Sequence, residues 1–213
     1  GPQLIGADNV WSGTAPASGM AFGEGVTVGI LDTGANFDHP SFADVGDDAY
    51  DHTNPLGGGN YLGVCDPGNV DHFDPAYTCN DKIIGGYDFI NDLTPPGGTD
   101  IPGPEDENGH GTHTASTTAG NLVLSAESNG ITGIAVSGVA RHANLVIFDV
   151  CYNPAPGAGG GCFGSAAAAS IDQILADGVV DVVNYSISGG VSPWGEAASL
   201  AFLSATDAGV FVA

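Results

Sequence analysis

Apolar runs separated by helical stretches are the feature that most restricts the fold of this 213-residue chain. Runs such as Val-Val-Asp-Val-Val have too few polar positions for a strand with one solvated face, so they indicate strands covered on both faces. Their alternation with helices predicts an α/β fold: a parallel β-sheet with helices on both faces. The expected strands are Val26–Leu31, Ile83–Ile90, Leu145–Val150, Val179–Tyr185 and residues 209–213, and the expected helices are Gly111–Ala119, Ala166–Ala176 and Glu196–Ala208.

Residues 1–213 show no change of composition that would divide them into two domains. The segment 44–80 is rich in Gly, Asp, Asn and Pro, which favours an elaborated surface loop within the domain over a linker. A second long loop is expected over residues 91–108. Long loops in compact domains are often functional.

The charge balance excludes several classes of partner. The chain has 25 acidic residues and only two basic ones, Lys82 and Arg141, so its formal net charge is −23. Binding to phosphate groups needs a basic patch, so neither nucleic acid nor an anionic membrane surface is an expected partner. The apolar runs are also too short to span a bilayer. The negative charges repel one another, which favours an environment in which salt, calcium or low pH weakens this repulsion.

Four cysteines are present, and they allow three pairings. Their spacing favours the local pairs Cys65–Cys79 and Cys151–Cys162, each closing a short loop. Four free thiols or a zinc site are the alternatives, but a C-x2-C pair typical of zinc sites is missing from the sequence. Two disulfides would indicate a secreted protein.

Two motifs carry side chains suited to chemistry. Asp32-Thr33-Gly34 ends an apolar strand, where an Asp either faces the ligand crevice of a parallel sheet or caps the next element. Asp-Thr-Gly also occurs in aspartic proteases, which need two copies, and this chain has one. The second motif, Gly109-His110-Gly111-Thr112-His113, opens a helix. A lone His is often structural, and two His at this spacing could instead bind a metal.

Together these motifs resemble the subtilisin family of serine proteases, in which a strand ending in Asp-Thr-Gly precedes a helix opening with Gly-His-Gly-Thr-His. The resemblance is closest to the plant cucumisin-type and bacterial minor-extracellular-protease branch. It extends over further segments: Gly63-Val64-Cys65, Cys79-Asn80-Asp81-Lys82-Ile83-Ile84-Gly85, Gly138-Val139-Ala140, Val150-Cys151-Tyr152 and residues 174–190.

The resemblance implies a secreted serine endopeptidase with an Asp-His-Ser triad, of which this chain carries Asp32 and His110 only. His110 would be the general base and Asp32 its orienting acid, whereas His113 would be a structural partner inside the helix. The stretch Ser186, Ile187, Ser188 and Gly189 resembles the substrate-binding strand, although the family pattern Ser-Leu-Gly-Gly is interrupted here by Ser188.

The resemblance further implies that residues 1–213 form the N-terminal part of one catalytic domain, with the sheet incomplete at the C-terminal end. Protein or peptide substrates and an N-terminal propeptide are the expected partners, and no cofactor is expected for catalysis.

Two other functions stay open. One is a catalytically silent fragment that acts as a binding module, and the other is a metal-dependent hydrolase using Asp32, His110 and His113. A structural calcium ion is also possible, because hard cations favour several oxygen ligands and acidic residues are close in one loop. These residues are Asp44, Asp47, Asp48 and Asp51.

Overall fold

A computed structural model describes residues 1–16, 19–93, 95, 97–153, 161–189 and 192–213 of the protein. The strands are β1 (Thr27–Asp32), β2 (Leu62–Gly63), β3 (Ile83–Asp88), β4 (Val123–Ser128), β5 (Ile131–Val136), β6 (Asn144–Asp149), β7 (Val182–Asn184) and β8 (Phe211–Val212). Six of them form a central sheet in the order β2-β3-β6-β1-β7-β8, in which every pair of neighbouring strands is parallel. The other two, β4 and β5, form an antiparallel hairpin.

The helices lie where the sequence predicts them, within two residues at each end. They are α2 (His110–Ala119), α3 (Gly164–Asp177) and α4 (Ala197–Asp207), preceded by a short helix α1 (Ala7–Trp11) and supplemented by single 3₁₀ turns at Pro40–Phe42, Asn91–Leu93 and Pro193–Gly195. Helix α3 is ended by Gly178, whose φ of 67° lies in the left-handed region. Within the described residues, the helices are too short or too polar to cross a membrane.

The core lies on both faces of the sheet, because successive side chains of a strand point to opposite faces. Ile30 packs on one face with Ala115 and Ala119 of α2, whereas Leu31 packs on the other with Ile171 of α3. All five of these side chains are fully buried. The expected fold class, a parallel sheet with helices on both faces, is therefore confirmed.

Three expected strands are shorter than their apolar runs. The run 209–213 forms a strand only at Phe211–Val212. In the run Ile83–Ile90 the strand stops at Asp88, whose carboxylate accepts the N–H of Ile90 at 2.8 Å and so turns the chain. In the run Val179–Tyr185 the strand is limited to Val182–Asn184. The start of that run instead contributes Val180, which is 6% exposed, to the core on the face of the sheet covered by α3.

The hairpin β4–β5 and the strand β2 were not expected. β2 lies in the segment 44–80, where its two residues pair with β3 at the edge of the sheet. The rest of that segment is mostly irregular, but it places His52 and Asn54 in the interior. This segment therefore packs against the domain and extends its sheet.

The two expected disulfides are present. Cys65 is bonded to Cys79 and Cys151 to Cys162, and the described part of the chain has no free cysteine. Cys151 follows β6, so the second disulfide joins the end of that strand to the residues just before α3.

Both basic side chains are held by internal partners. Lys82 is fully buried and donates to the carbonyl oxygens of Arg141 and Ala143 at 2.9 and 2.6 Å. Burial lowers the pKa of Lys82 to about 7. Arg141 donates to Asp48 at 2.9 Å, so neither cation is free to neutralise carboxylates elsewhere on the surface.

Candidate active site

Three neighbouring strands end in aspartate, and these residues are in register across the sheet. Asp88 of β3 pairs with Asp149 of β6, which pairs with Asp32 of β1. Each carboxylate accepts a backbone N–H from the turn that follows its strand. Capping thus accounts for all three positions, and a further partner is needed to give one of them a chemical role.

Asp32 has such a partner, because Oδ1 of Asp32 lies 2.6 Å from Nδ1 of His110. The same carboxylate accepts the N–H of Thr33 at 2.8 Å and the hydroxyl of Thr114 at 3.2 Å, and the Asp32 side chain is only 1% exposed. Since a carboxylate only accepts hydrogen bonds, Nδ1 carries a proton, and in the neutral imidazole the lone pair is then on Nε2. The His110 ring is 47% exposed, so it is accessible to a substrate group.

Glycine at position 111 permits this close approach of helix and strand. A Cβ atom there would overlap the carbonyl oxygen of Gly34 and would lie 3.1 Å from the backbone nitrogen of Thr33. The N–H of Gly111 donates instead to the hydroxyl of Thr33 at 2.8 Å. The first turn of α2 therefore rests directly on the loop that follows Asp32.

Thr33 and Thr114 were not singled out from the sequence. Thr114 is four residues after His110, which places both side chains on one face of α2. That spacing was a usable signal for a second contact to Asp32. Thr33 gave no such signal, because its role depends on how closely the helix approaches the strand.

The carboxyl group of Asp149, on the strand next to Asp32, has a strongly raised pKa. Burial raises the pKa of Asp149 from 3.8 to about 9, with smaller contributions from the charges of Asp100 and Asp88. Asp149 is 2% exposed and is protonated at neutral pH. In its neutral form Asp149 adds no second negative charge on the strand next to Asp32.

We expect Asp149→Asn to change how stability depends on pH. The raised pKa means that the folded state binds one more proton than the unfolded state between about pH 4 and about pH 9. The free energy of unfolding of the wild type should therefore fall with rising pH, relative to the variant, by about 2–4 kcal/mol between pH 5 and pH 8. Urea unfolding across that range measures the difference.

The matched control for that experiment is Asp172→Asn, which removes one carboxylate from an exposed position on α3. Its stability relative to the wild type should stay nearly constant over the same pH range. A constant difference for Asp149→Asn as well would show that Asp149 is ionised in the folded protein.

The residues expected to bind substrate begin at the edge of the sheet where the strands that carry Asp32, Asp88 and Asp149 also end. They follow β7, which pairs with β1 on the side opposite β6. Ile187, Ser188 and Gly189 line a cleft of about 670 Å³ together with the first residues of α3 and α4, whereas the hydroxyl of Ser186 is hydrogen-bonded to Asn184 at 3.1 Å. Asn184 pairs with Ile30, two residues before Asp32, so this segment begins near the aspartate. Burial and the charge of Asp32 raise the pKa of Tyr185.

The metal-dependent alternative is not supported by the geometry. His113 lies exposed on α2, neither beside Asp32 nor inside the helix packing as expected. Across the residues described, no group of three or more His, Cys, Asp or Glu is arranged to hold a metal ion.

The acidic loop proposed for calcium uses its carboxylates within the protein. Asp48 binds Arg141 and His142, each at 2.9 Å. Asp44 accepts the N–H of Asp81, and Asp47 accepts the N–H of Leu124. The structural calcium ion stays a prediction.

Comparison with known proteins gives a consistent result along the chain. The model of the subtilase family matches residues 23–213. Among curated proteins, subtilisin-like protease SBT2.2 of Arabidopsis thaliana is 35% identical over 199 residues, which cover 89% of this chain and 22% of that protein. Subtilisin-like protease SBT1.4 of the same plant is 37% identical over 177 residues, covering 80% of this chain and 21% of that protein.

Solved structures include a cold adapted subtilisin-like serine proteinase at 24% identity, with a TM-score of 0.49. The match covers 97% of this chain and 53% of that one. The chain spans about a fifth of the length of the curated relatives it matches.

Proposed function

Because the chain belongs to the subtilase family, we propose that it forms part of a secreted serine endopeptidase that uses an Asp-His-Ser triad. Asp32 and His110 are the two triad members in this chain. The observation that carries the proposal is the 2.6 Å contact between the buried Asp32 carboxylate and Nδ1 of the half-exposed His110 ring. This contact uses Nδ1 and leaves Nε2 for a substrate group, on a ring that is 47% exposed.

The proposed reaction is acyl transfer in two steps. Nε2 of His110 removes the proton from a serine hydroxyl while that oxygen attacks the carbonyl carbon of the scissile peptide bond. The imidazolium then donates this proton to the leaving amine, and an acyl-enzyme results. In the second step His110 activates a water molecule, which releases the acid and restores the serine. Asp32 holds the imidazole in the required tautomer and stabilises its charged form.

We place the nucleophile outside residues 1–213. Within the described part of the chain, no serine hydroxyl is hydrogen-bonded to Nε2 of His110. The hydroxyl of Ser186, which follows β7, is hydrogen-bonded to the side chain of Asn184 instead. The curated relatives are several times longer than this chain, which leaves ample sequence for the third triad residue.

The substrate in this proposal is an extended peptide that lies along residues 186–189. An added strand would gain main-chain hydrogen bonds there, and Gly189 would leave room for a substrate side chain. The cleft bordered by Ile187, Ser188 and Gly189 supports this position. The two disulfides support secretion, and the family resemblance adds an N-terminal propeptide removed on maturation.

Peptide hydrolysis by two proteins tests the proposal: the 213-residue chain, and a longer protein that also includes the serine region of the family. We expect the short chain to hydrolyse no peptide, since it supplies a base and its orienting acid without the nucleophile. The longer protein should hydrolyse casein, lose activity with a serine-directed phosphonate, and keep it in a chelator.

Three outcomes would overturn the proposal. Phosphonate-sensitive hydrolysis by the short chain would show that the nucleophile is among these residues. Loss of activity in the chelator would favour a metal-dependent hydrolase. Peptide binding without cleavage by the longer protein would favour a binding module.

A further inference from the structure

We propose that Asp106 is the positioning residue that holds His110 against Asp32. The inference rests on the proposed function, since it concerns the geometry of the two triad residues. Asp106 lies in the loop before α2 and makes no contact with the reacting atoms of His110 among its hydrogen bonds. Asp106 would instead act indirectly, through hydrogen bonds to the backbone and side chains of residues that flank Asp32 and His110.

One carboxylate accepts five hydrogen bonds at this point. Oδ1 of Asp106 accepts the hydroxyl of Thr33 at 2.9 Å and the N–H groups of Asn108 and Gly109 at 2.9 and 2.7 Å. Oδ2 accepts the N–H and the hydroxyl of Thr112 at 2.7 and 2.6 Å. These five donors saturate the hydrogen-bonding capacity of a carboxylate.

The donors belong to the two segments that carry the triad residues. Thr33 follows Asp32 on the strand side, and its hydroxyl also accepts the N–H of Gly111 at 2.8 Å on the helix side. The other donors flank His110 in the chain. Asp106 therefore fixes the end of β1 and the first turn of α2 relative to each other, and a shift of either would change the distance between Asp32 and His110.

Asp106 is held in its charged form. Burial by itself would raise the pKa of Asp106, but the hydrogen bonds from Thr112, Gly109 and Asn108 outweigh this effect and lower it. A negative charge at the N-terminus of a ten-residue helix also interacts favourably with the helix dipole. The hydrogen bonds thus remain charge-assisted over the neutral pH range, which makes them short and geometrically strict.

Loss of this carboxylate should loosen the triad pair without removing either member. Gly109 has a φ of 91°, and its N–H would lose the acceptor that fixes this turn just before His110. Misplacement of a catalytic group by about 1 Å is enough to reduce a rate by roughly 100-fold. We therefore expect a change in kcat larger than the change in KM.

The direct readout is the proton NMR signal of Nδ1–H of His110 in the 213-residue chain, which moves far downfield when it is bonded to a carboxylate. The signal is assigned by its loss in His110→Ala. We expect the wild type and the charge control Asp172→Asn to show it sharply. Asp106→Ala should broaden or abolish it, and Asp106→Asn, which keeps one acceptor oxygen, should have an intermediate effect.

Kinetics of the longer protein give the second readout. Asp106→Ala should lower kcat by about 10- to 100-fold with KM within about threefold of the wild type. If Asp106→Ala fails to fold, Asp106→Asn and Thr33→Val decide, since Thr33→Val removes the hydroxyl that joins the strand side to both Asp106 and the N–H of Gly111. Both should weaken the Nδ1–H signal while the helical circular dichroism is kept.

The outcomes separate this proposal from the proposed function. A missing Nδ1–H signal in the wild type would contradict the Asp32–His110 pair itself. A sharp signal in the wild type that persists unchanged in Asp106→Ala, Asp106→Asn and Thr33→Val would overturn the positioning role of Asp106 and leave the pair intact.

Discussion

Replacing His110 by alanine is expected to lower kcat of the longer protein by about 10⁴-fold or more, because the reaction loses its general base. The serine hydroxyl would then have no group to take its proton, and the leaving amine no group to protonate it. Asp32→Asn should cost about 10⁴-fold, since an amide at this position favours the wrong tautomer of His110. Steady-state kinetics on a chromogenic peptide measure both effects.

His113→Ala is the matched control for this prediction. It changes a histidine of the same helix at an exposed position three residues further on. We expect its kcat to stay within about twofold of the wild type, as for surface substitutions away from a site. Comparable losses for His110→Ala and His113→Ala would contradict the assignment of His110 as the base.

Gly111→Ala is expected to have the largest effect of any substitution outside the Asp32–His110 pair, although it adds only one methyl group. The added Cβ would overlap the Gly34 carbonyl oxygen, which is backbone and has no side-chain freedom to move away. The first turn of α2 would be pushed from the end of β1, and kcat should fall by about 100-fold. Stability should fall by roughly 1–3 kcal/mol, as in other overpacked sites. Kinetics and thermal unfolding measure the two effects.

Gly164→Ala provides the control, because Gly164 occupies the first turn of α3 as Gly111 does in α2. The nearest atom to its added Cβ is Ala198 Cβ at 3.7 Å, an ordinary contact. We expect stability equal to that of the wild type or up to about 1 kcal/mol higher, since alanine favours helix. Because Gly164 borders the cleft, the two variants are compared by stability alone. Equal behaviour of the two variants would mean that the close contact at Gly111 is not needed.

The sequence predicted the parallel sheet well because its inner strands are continuously apolar. The runs in β1 and β6 are buried at every position, and strands covered on both faces show this pattern. β2 could not be predicted, since two residues of pairing leave no periodic signal. Its place in the sheet depends on the packing of the segment 44–80, which is not visible in local sequence.

The hairpin β4–β5 had a signal that was overlooked. Asn129-Gly130 is the commonest pair for a two-residue hairpin turn, and both residues have positive φ, 51° and 77°. Residues 128 and 131 flank this turn as register partners. The strands themselves are largely exposed and only weakly alternating, so attention to apolar runs alone misses them.

The sequence predicted those residues of the candidate site that stand in recognisable motifs. Asp32 and His110 stand in patterns whose order and spacing indicated the pair. Asp106 could have been noticed as an acidic residue just before a helix, a position that favours capping. The protonation of Asp149 could not be predicted, because it arises from burial between strands brought together by the fold.

Covalent labelling of the longer protein with a fluorophosphonate, followed by mass spectrometry, tests the central claim most directly. A triad that includes Asp32 and His110 should activate one serine, so we expect one label per wild-type molecule on a serine outside residues 1–213. The label should be almost absent from His110→Ala at the same reagent concentration and time. Equal labelling of the wild type and His110→Ala, or a label on a serine within residues 1–213, would contradict the account.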